Sequence, residues 1–217
     1  MASMYSLLDI FSADAGGAST SVLQGSDSAL CFRREQDRMA FVDQILIRHR
    51  DGDMRGDEHD GDRDFQLKRN EGNIHARIHL PAKRIGLVAQ RPTLLSQLSA
   101  WENLGLIADQ LEYTDGLTFP TRLRRAVQET GLLQGVDLGR RIESLPWTVQ
   151  VEINFLQAWL REPEWLLFDN LFEHEESASL SHLPALFRRR YPLRAMCHLG
   201  RTEPVLSSFN IKQVIRL

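Results

Sequence analysis

Apolar residues along the 217-residue chain recur with two periods, and the order in which those periods alternate predicts the architecture. Residues 4–11 and 19–24 read as short strands separated by a Gly/Ala/Asp turn over 13–18, the outer antiparallel strands of a domain. Leu30, Cys31 and Phe32 form a short buried strand, and Met39, Phe41, Val42, Ile45 and Leu46 then follow at the spacing of an amphipathic helix. Residues 51–64 carry Asp, Gly and Arg with almost no apolar side chain, which predicts a solvated loop. Residues 74–80 alternate as Ile-His-Ala-Arg-Ile-His-Leu, a half-buried strand, and residues 84–89 form a more fully apolar one. Helical spacing takes over at 98–111, 121–133 and 149–161, the last stopping before Pro163. Residues 165–168 are an apolar run ending in Asp169, residues 183–190 a helix, 193–197 a strand and 214–217 a closing strand.

This order predicts an α/β fold with a mostly parallel sheet flanked by helices, antiparallel strands at its start and a helical insertion. The expected division is 1–98 for the first part of the core, 99–160 for the insertion and 161–217 for the remainder of the core.

Composition narrows the classes of partner. A hydrophobic content of 42% fills the core of one such domain. Lys and Arg number 26 against 29 Asp and Glu, a net charge of −3, so no global basic field exists to attract nucleic acid. Cys31 and Cys197 lie in apolar runs away from metal-ligand spacing, which argues against a disulfide framework and for a reducing compartment, the cytoplasm. The start of the chain lacks a basic and apolar leader pattern, and no stretch approaches the roughly 18 apolar residues of a spanning helix. Direct membrane insertion is therefore not expected, and association with an inner membrane would run through a partner.

No metal site is expected. Asp51-Gly-Asp-Met-Arg-Gly56 echoes half of a calcium loop, but Arg55 stands at its fifth position and Asp62 at its twelfth, with no flanking helix pair. His75 and His79 share one strand face without a third ligand nearby in sequence.

Chemistry enters with five segments in a fixed order. They are Ile85-Gly-Leu-Val-Ala-Gln90, Ser99-Ala-Trp-Glu-Asn-Leu104, Glu143-Ser-Leu-Pro-Trp-Thr-Val-Gln150, Arg161-Glu-Pro-Glu-Trp-Leu-Leu-Phe-Asp169 and Ala195-Met-Cys-His198. From about residue 30 onward their order and spacing resemble those of ABC-type ATPases. The resemblance implies a P-loop NTPase-like core with Gln90 in the Q-loop, Ser99 to Leu104 opening the helical subdomain, and residues 143–150 in place of the signature. It also implies Asp169 as the Walker B carboxylate that supports Mg²⁺, and His198 at the switch position, where an ordinary hydrogen-bonded histidine is the favoured reading.

The same resemblance shows what is missing. A phosphate loop needs glycines for close backbone approach, a Lys for the β/γ oxygens and a hydroxyl for Mg²⁺, yet no GxxxxGK[ST] occurs anywhere in the chain. Counting back from Gln90 puts Arg33 and Arg38 at the glycine positions, Met39 at the lysine and Ala40 at the hydroxyl. Pro146 and Trp147 occupy the signature, where proline brings no N–H and an indole blocks close approach. Asn170 follows Asp169 where the family has its catalytic Glu, and an amide cannot take a proton from water.

The expected protein is thus a degenerate, catalytically inactive ABC ATPase-like subunit, structural or regulatory. ATP and Mg²⁺ would be held weakly or not at all, with no other cofactor. The expected partner is a membrane permease, another ABC ATPase-like subunit or a second copy of the chain. Phe172, the following Glu173-His-Glu-Glu-Ser177 and the tail from His198 to Phe209 most resemble ATPase subunits of bacterial phospholipid-trafficking ABC systems. Two alternatives stay open: an ATP-binding subunit with an atypical site and slow or no hydrolysis, and a soluble interaction protein that has left transport.

Overall fold

A computed structural model of the chain describes residues 5–12, 19–51, 63–67, 74–80, 84–108, 111, 116–173, 175–203 and 211–217. The strands are β1 (Ser6–Ser12), β2 (Ser19–Leu23), β3 (Asp27–Cys31), β4 (Arg63–Leu67), β5 (Ile74–Ile78), β6 (Ile85–Ala89), β7 (Trp165–Asp169), β8 (Ala195–Gly200) and β9 (Gln213–Arg216). The helices are α1 (Glu35–Asp51), α2 (Ala100–Gly105), α3 (Phe119–Thr130), α4 (Trp147–Leu160) and α5 (His182–Arg190). The turn expected over 13–18, the calcium-loop echo from position 52 onward, and the tail over 204–209 lie outside the described residues.

Two sheets form. One is antiparallel, in the order β2-β1-β5-β4, and the other is parallel, in the order β6-β7-β8-β3-β9. Strands β5 and β6, consecutive in the chain, therefore belong to different sheets, and the antiparallel sheet extends beyond the first two strands. The solvated loop expected to run to Asp64 gives way to β4 at Arg63. Its exposed face is built from polar cross-strand pairs, Arg77 Nε to Asp64 at 2.7 Å and Gln66 with His75 at 3.4 Å, so apolar alternation is not its signal. His79, on the same face as His75, is held by Asp9 at 2.7 Å. Asp9 also accepts from Ser6 Oγ at 2.7 Å and Ser21 Oγ at 2.5 Å, tying β1 to β2 and to the end of β5.

The parallel sheet separates two cores by side-chain alternation. Trp165, Leu167, Ala195, Cys197 and Leu199 face α1 and the antiparallel sheet, together with Leu8, Ile10, Phe41 and Ile45. Leu166, Phe168 and Met196 face the other way, into a core shared with α2 to α5. Both faces of β7 and β8 are covered, which is why these strands, apart from Asp169 and His198, are apolar on both sides rather than alternating with polar residues.

Between β6 and β7 the chain holds α2, α3 and α4 and, among the described residues, no strand. Helix α2 is much shorter than the expected 98–111: Ser99 caps it through a reciprocal capping box with Glu102, and it ends at Gly105. Helix α3 starts at Phe119 with a proline in its first turn and stops at Gly131, whose φ of 74° suits a residue without a Cβ. Strand β8 starts at Ala195 rather than 193, since Leu193 is 76% exposed, and it runs on to Gly200. No helix among the described residues is long and apolar enough to cross a membrane.

Candidate functional site at the carboxyl ends of the parallel strands

The carboxyl ends of parallel strands are where ligands of open α/β folds bind, so the connections leaving β3, β6, β7 and β8 define the candidate site. Only Phe32, Arg33 and Arg34 separate β3 from α1. The Phe32 N–H donates to Gly200 O at 2.8 Å and the Arg33 N–H to Leu217 O at 2.9 Å. The N–H groups of Asp37 and Arg38 both donate to Arg34 O, at 3.2 and 3.4 Å. This segment is a strand end turning directly into a helix, with the N–H groups of Phe32 and Arg33 bonded at the ends of neighbouring strands.

Of the four residues at the expected phosphate-loop positions, one points inward. Arg33 and Ala40 are exposed and Met39 is 53% exposed, whereas Arg38 is buried. The Arg38 guanidinium forms an ion pair with Asp169 at the end of β7 and another with Glu35 one turn back on α1, its Nε lying 3.0 Å from Glu35 Oε2. That hydrogen-bonded partner holds the Glu35 carboxyl below the usual carboxylate range. A cation carried by the chain thus sits on the carboxylate at the strand end.

Asn170 leaves β7 in the left-handed region, at φ 52°, which asparagine tolerates better than most residues. Its N–H donates to Leu199 O at 2.7 Å and its Nδ2 donates to Gln90 Oε1 at 2.9 Å. The Gln90 N–H donates to Asp169 O at 3.0 Å, and Gln90 O accepts from the Trp147 indole Nε1 at 2.6 Å. Pro146, exposed, precedes the first residue of α4, and Trp147 is half-buried against the helical core. Side chains at the ends of β6 and β7 and at the start of α4 therefore form one connected polar path.

His198 lies in the body of β8 rather than at its end, opposite Phe168, and is fully buried. Burial pushes its pKa down to about 4, against the opposing pull of Glu173. Glu173 accepts from the backbone N–H of Arg201 and, at 2.7 Å, from that of Thr202. A Cβ added at Gly200 would meet both His198 Nε2 and Glu173 Oε1, so a larger residue there would displace these side chains.

The structure thus gathers Gln90, Asp169, Asn170, Trp147 and Arg38 with His198 one strand away, and leaves Arg33, Met39, Ala40 and Pro146 turned to solvent. Sequence reasoning missed Glu35, Glu173, Asn154 and Asn103. Asn154, on α4, accepts from the Ala89 N–H at 3.0 Å, and buried Asn103 bonds Leu95 through both its amide atoms, at 2.8 and 3.0 Å. Asn103 lies among the buried Ala100 and Leu104 and Asn154 between the buried Ile153 and Phe155, and a polar residue at helix positions that face the core was the available signal for both.

A parallel sheet with Asp169 at the end of an inner strand, helices on one face, and α1 with an antiparallel sheet on the other, is the P-loop NTPase fold as ABC-type ATPases build it. Among solved structures the chain is similar to cbiO1 from Clostridium perfringens, which is part of the ABC transporter complex cbiONQ. The TM-score is 0.59 at 14% sequence identity, over 91% of this chain and 79% of that one. At that identity the likeness is one of fold. No protein-family model matches the sequence, and no curated protein matches it.

Proposed function

We propose that the chain is a catalytically inactive ABC ATPase-like subunit with a structural or regulatory role. It docks through the surface around Gln90 and the helical insertion on a membrane permease or another ATPase-like chain. The observation that carries this reading is the β3–α1 connection, where α1 begins at Glu35 and the N–H groups of Phe32, Arg33, Asp37 and Arg38 are bonded within the protein. Phosphate cradles work by turning such donors toward the ligand. The residues present do not fit a nucleoside triphosphate with Mg²⁺: the buried Arg38 guanidinium lies on Asp169, and neither Met39 nor Ala40 offers an ammonium or a hydroxyl.

Rescue by a competent partner is limited by geometry. In the family, each site combines the phosphate loop of one subunit with the signature of the other, and here both halves are altered. Pairing this chain with an intact one would weaken both sites. The solved neighbour's place in a transporter complex supports a permease-bound role in the same sense, and the subfamily reading, phospholipid trafficking, rests on Phe172 and the residues after it.

Calorimetric titration of the purified chain with ATP·Mg²⁺ should give weak binding or none. A dissociation constant in the low micromolar range would overturn the reading and favour an ATP-binding subunit with an unusual cradle. Pull-down from a membrane fraction then separates a transporter subunit, which recovers a permease, from a soluble interaction protein.

A further inference from the structure

The polar path at the strand ends joins residues from four separate elements of the fold. Glu35 and Arg38 belong to α1, Asp169 and Asn170 to the end of β7, Gln90 to the end of β6, and Trp147 to the start of α4. Each step is a direct contact: Arg38 to Glu35 and to Asp169, Asn170 Nδ2 to Gln90 Oε1 at 2.9 Å, and Trp147 Nε1 to Gln90 O at 2.6 Å. The Gln90 N–H closes back on Asp169 O at 3.0 Å.

We propose that Arg38, Asp169, Asn170, Gln90 and Trp147 form a ligand-independent clasp that fixes the orientation of the helical insertion relative to α1 and the parallel sheet. Apolar packing holds α4 against β6 and β7, and at the Trp147 end a polar bond acts beside it. Hydrogen bonds are directional, and those made by charged or buried groups are the stronger ones. The clasp runs through the strand ends, where a bound ligand would otherwise bridge the two regions, and its one free-standing charge, Asp169, is answered from within by Arg38, whose side chain is only 7% exposed. A second bond from the insertion, Asn154 Oδ1 accepting from the Ala89 N–H, anchors α4 two turns further along and makes the Trp147 end the part whose position the clasp decides. The proposal rests on the reading of the site as one without nucleotide.

Hydrogen exchange on the full chain, with no nucleotide present, tests it from both ends. Arg38→Gln should speed exchange of the α4 amides from 150 to 155 and of residues 90 to 94 by at least about tenfold, within the usual range of coupling between sites. Trp147→Phe, which keeps the ring and removes the donor, should speed exchange in the first two turns of α1 in the same way. Combined, the two changes should do no more at either end than the larger single change. Faster exchange confined to the substituted end in both variants, or additive effects, would overturn the clasp. If Arg38→Gln does not fold, the far-end response to Trp147→Phe decides alone. Tight ATP binding by the wild-type chain would defeat the proposed function without altering these exchange patterns, so the two failures remain distinguishable.

Discussion

Strands β7 and β8 are built on different rules in their bodies and at their carboxyl ends. In the bodies, Trp165, Leu166, Leu167 and Phe168 are each at most 1% exposed, and successive side chains enter two separate cores. Stability there is shared among many contacts, none of which depends on a particular functional group. At the ends, Asp169 is answered by Arg38 and Asn170 by Gln90, one specific partner each. Many different apolar sequences satisfy the first rule, whereas a single substitution breaks the second. A chain can therefore share its fold with a solved structure at only 14% sequence identity.

The largest expected effect is a break in a strand body. Phe168 is fully buried and stacks on Phe172 at a centroid distance of 5.3 Å. Phe168→Ala should lower unfolding free energy by about 3–5 kcal/mol, from lost transfer and the cavity left behind. Urea denaturation measures it. A loss below about 1 kcal/mol would mean that the body is not where this sheet draws its stability.

His198 sharpens the comparison because it is a titrating group inside a body. Its pKa is lowered from 6.5 to about 4 in the folded chain, chiefly by burial. Between those values the unfolded chain binds the proton and the folded chain does not, so this group's contribution to stability is full above pH 6.5 and is lost as pH falls toward 4. The shift corresponds to about 3 kcal/mol over that window. Denaturation curves of wild type and His198→Gln collected between neutral and acid pH should converge as pH falls; parallel curves would remove His198 from the account.

At the strand end, Asn170→Glu supplies a carboxylate where the proposed reading puts the catalytic base of an active ABC-type ATPase, yet it removes the amide donor to Gln90 and places a longer side chain at φ 52°. The left-handed conformation alone costs roughly 1–2 kcal/mol for such a residue. No hydrolysis is expected, because coupled catalytic groups do not act singly. Turnover above ~0.01 per second, far below ordinary enzyme rates, would show a slowed ATPase held back at the chemical step alone.

The difference between bodies and ends also explains what was legible in advance. Apolar runs at residues 84–89, 165–168 and 193–197 and the helical spacing of 149–161 located the parallel sheet and α4 to within two residues at each start, since burial on both faces leaves a strong pattern. Strand β4 escaped because its exposed face is stabilised by pairs such as Asp64–Arg77, which resemble loop composition. The order of Gln90 and Asp169 along the chain located the ends of β6 and β7, whereas His198, expected at a strand end, lies inside β8. The partner of Asp169 did not follow from that order: Arg38 reaches it across 131 positions, and only folding shows that Arg38 points inward while its neighbour Met39 is exposed.

The smallest expected effect lies at the entrance to the helical insertion. Ser99 and Glu102 form a capping box there: the Glu102 N–H donates to Ser99 Oγ at 3.2 Å and the Ser99 N–H to Glu102 Oε2 at 2.7 Å. A helix of six residues has few internal bonds, so its first turn depends on these two more than a long helix would. Asn103 supports the same turn from the buried side, bonding Leu95 and Ser99 O, which limits what the cap alone contributes. Ser99→Ala should therefore cost about 1 kcal/mol, near the middle of the range for lost caps. A melting shift of a few degrees, without change in the hydrogen exchange of β7 and β8, is the expected result. A cost as large as that of Phe168→Ala would instead put the cap within the cooperative core and erase the distinction between shared apolar contacts and single polar ones.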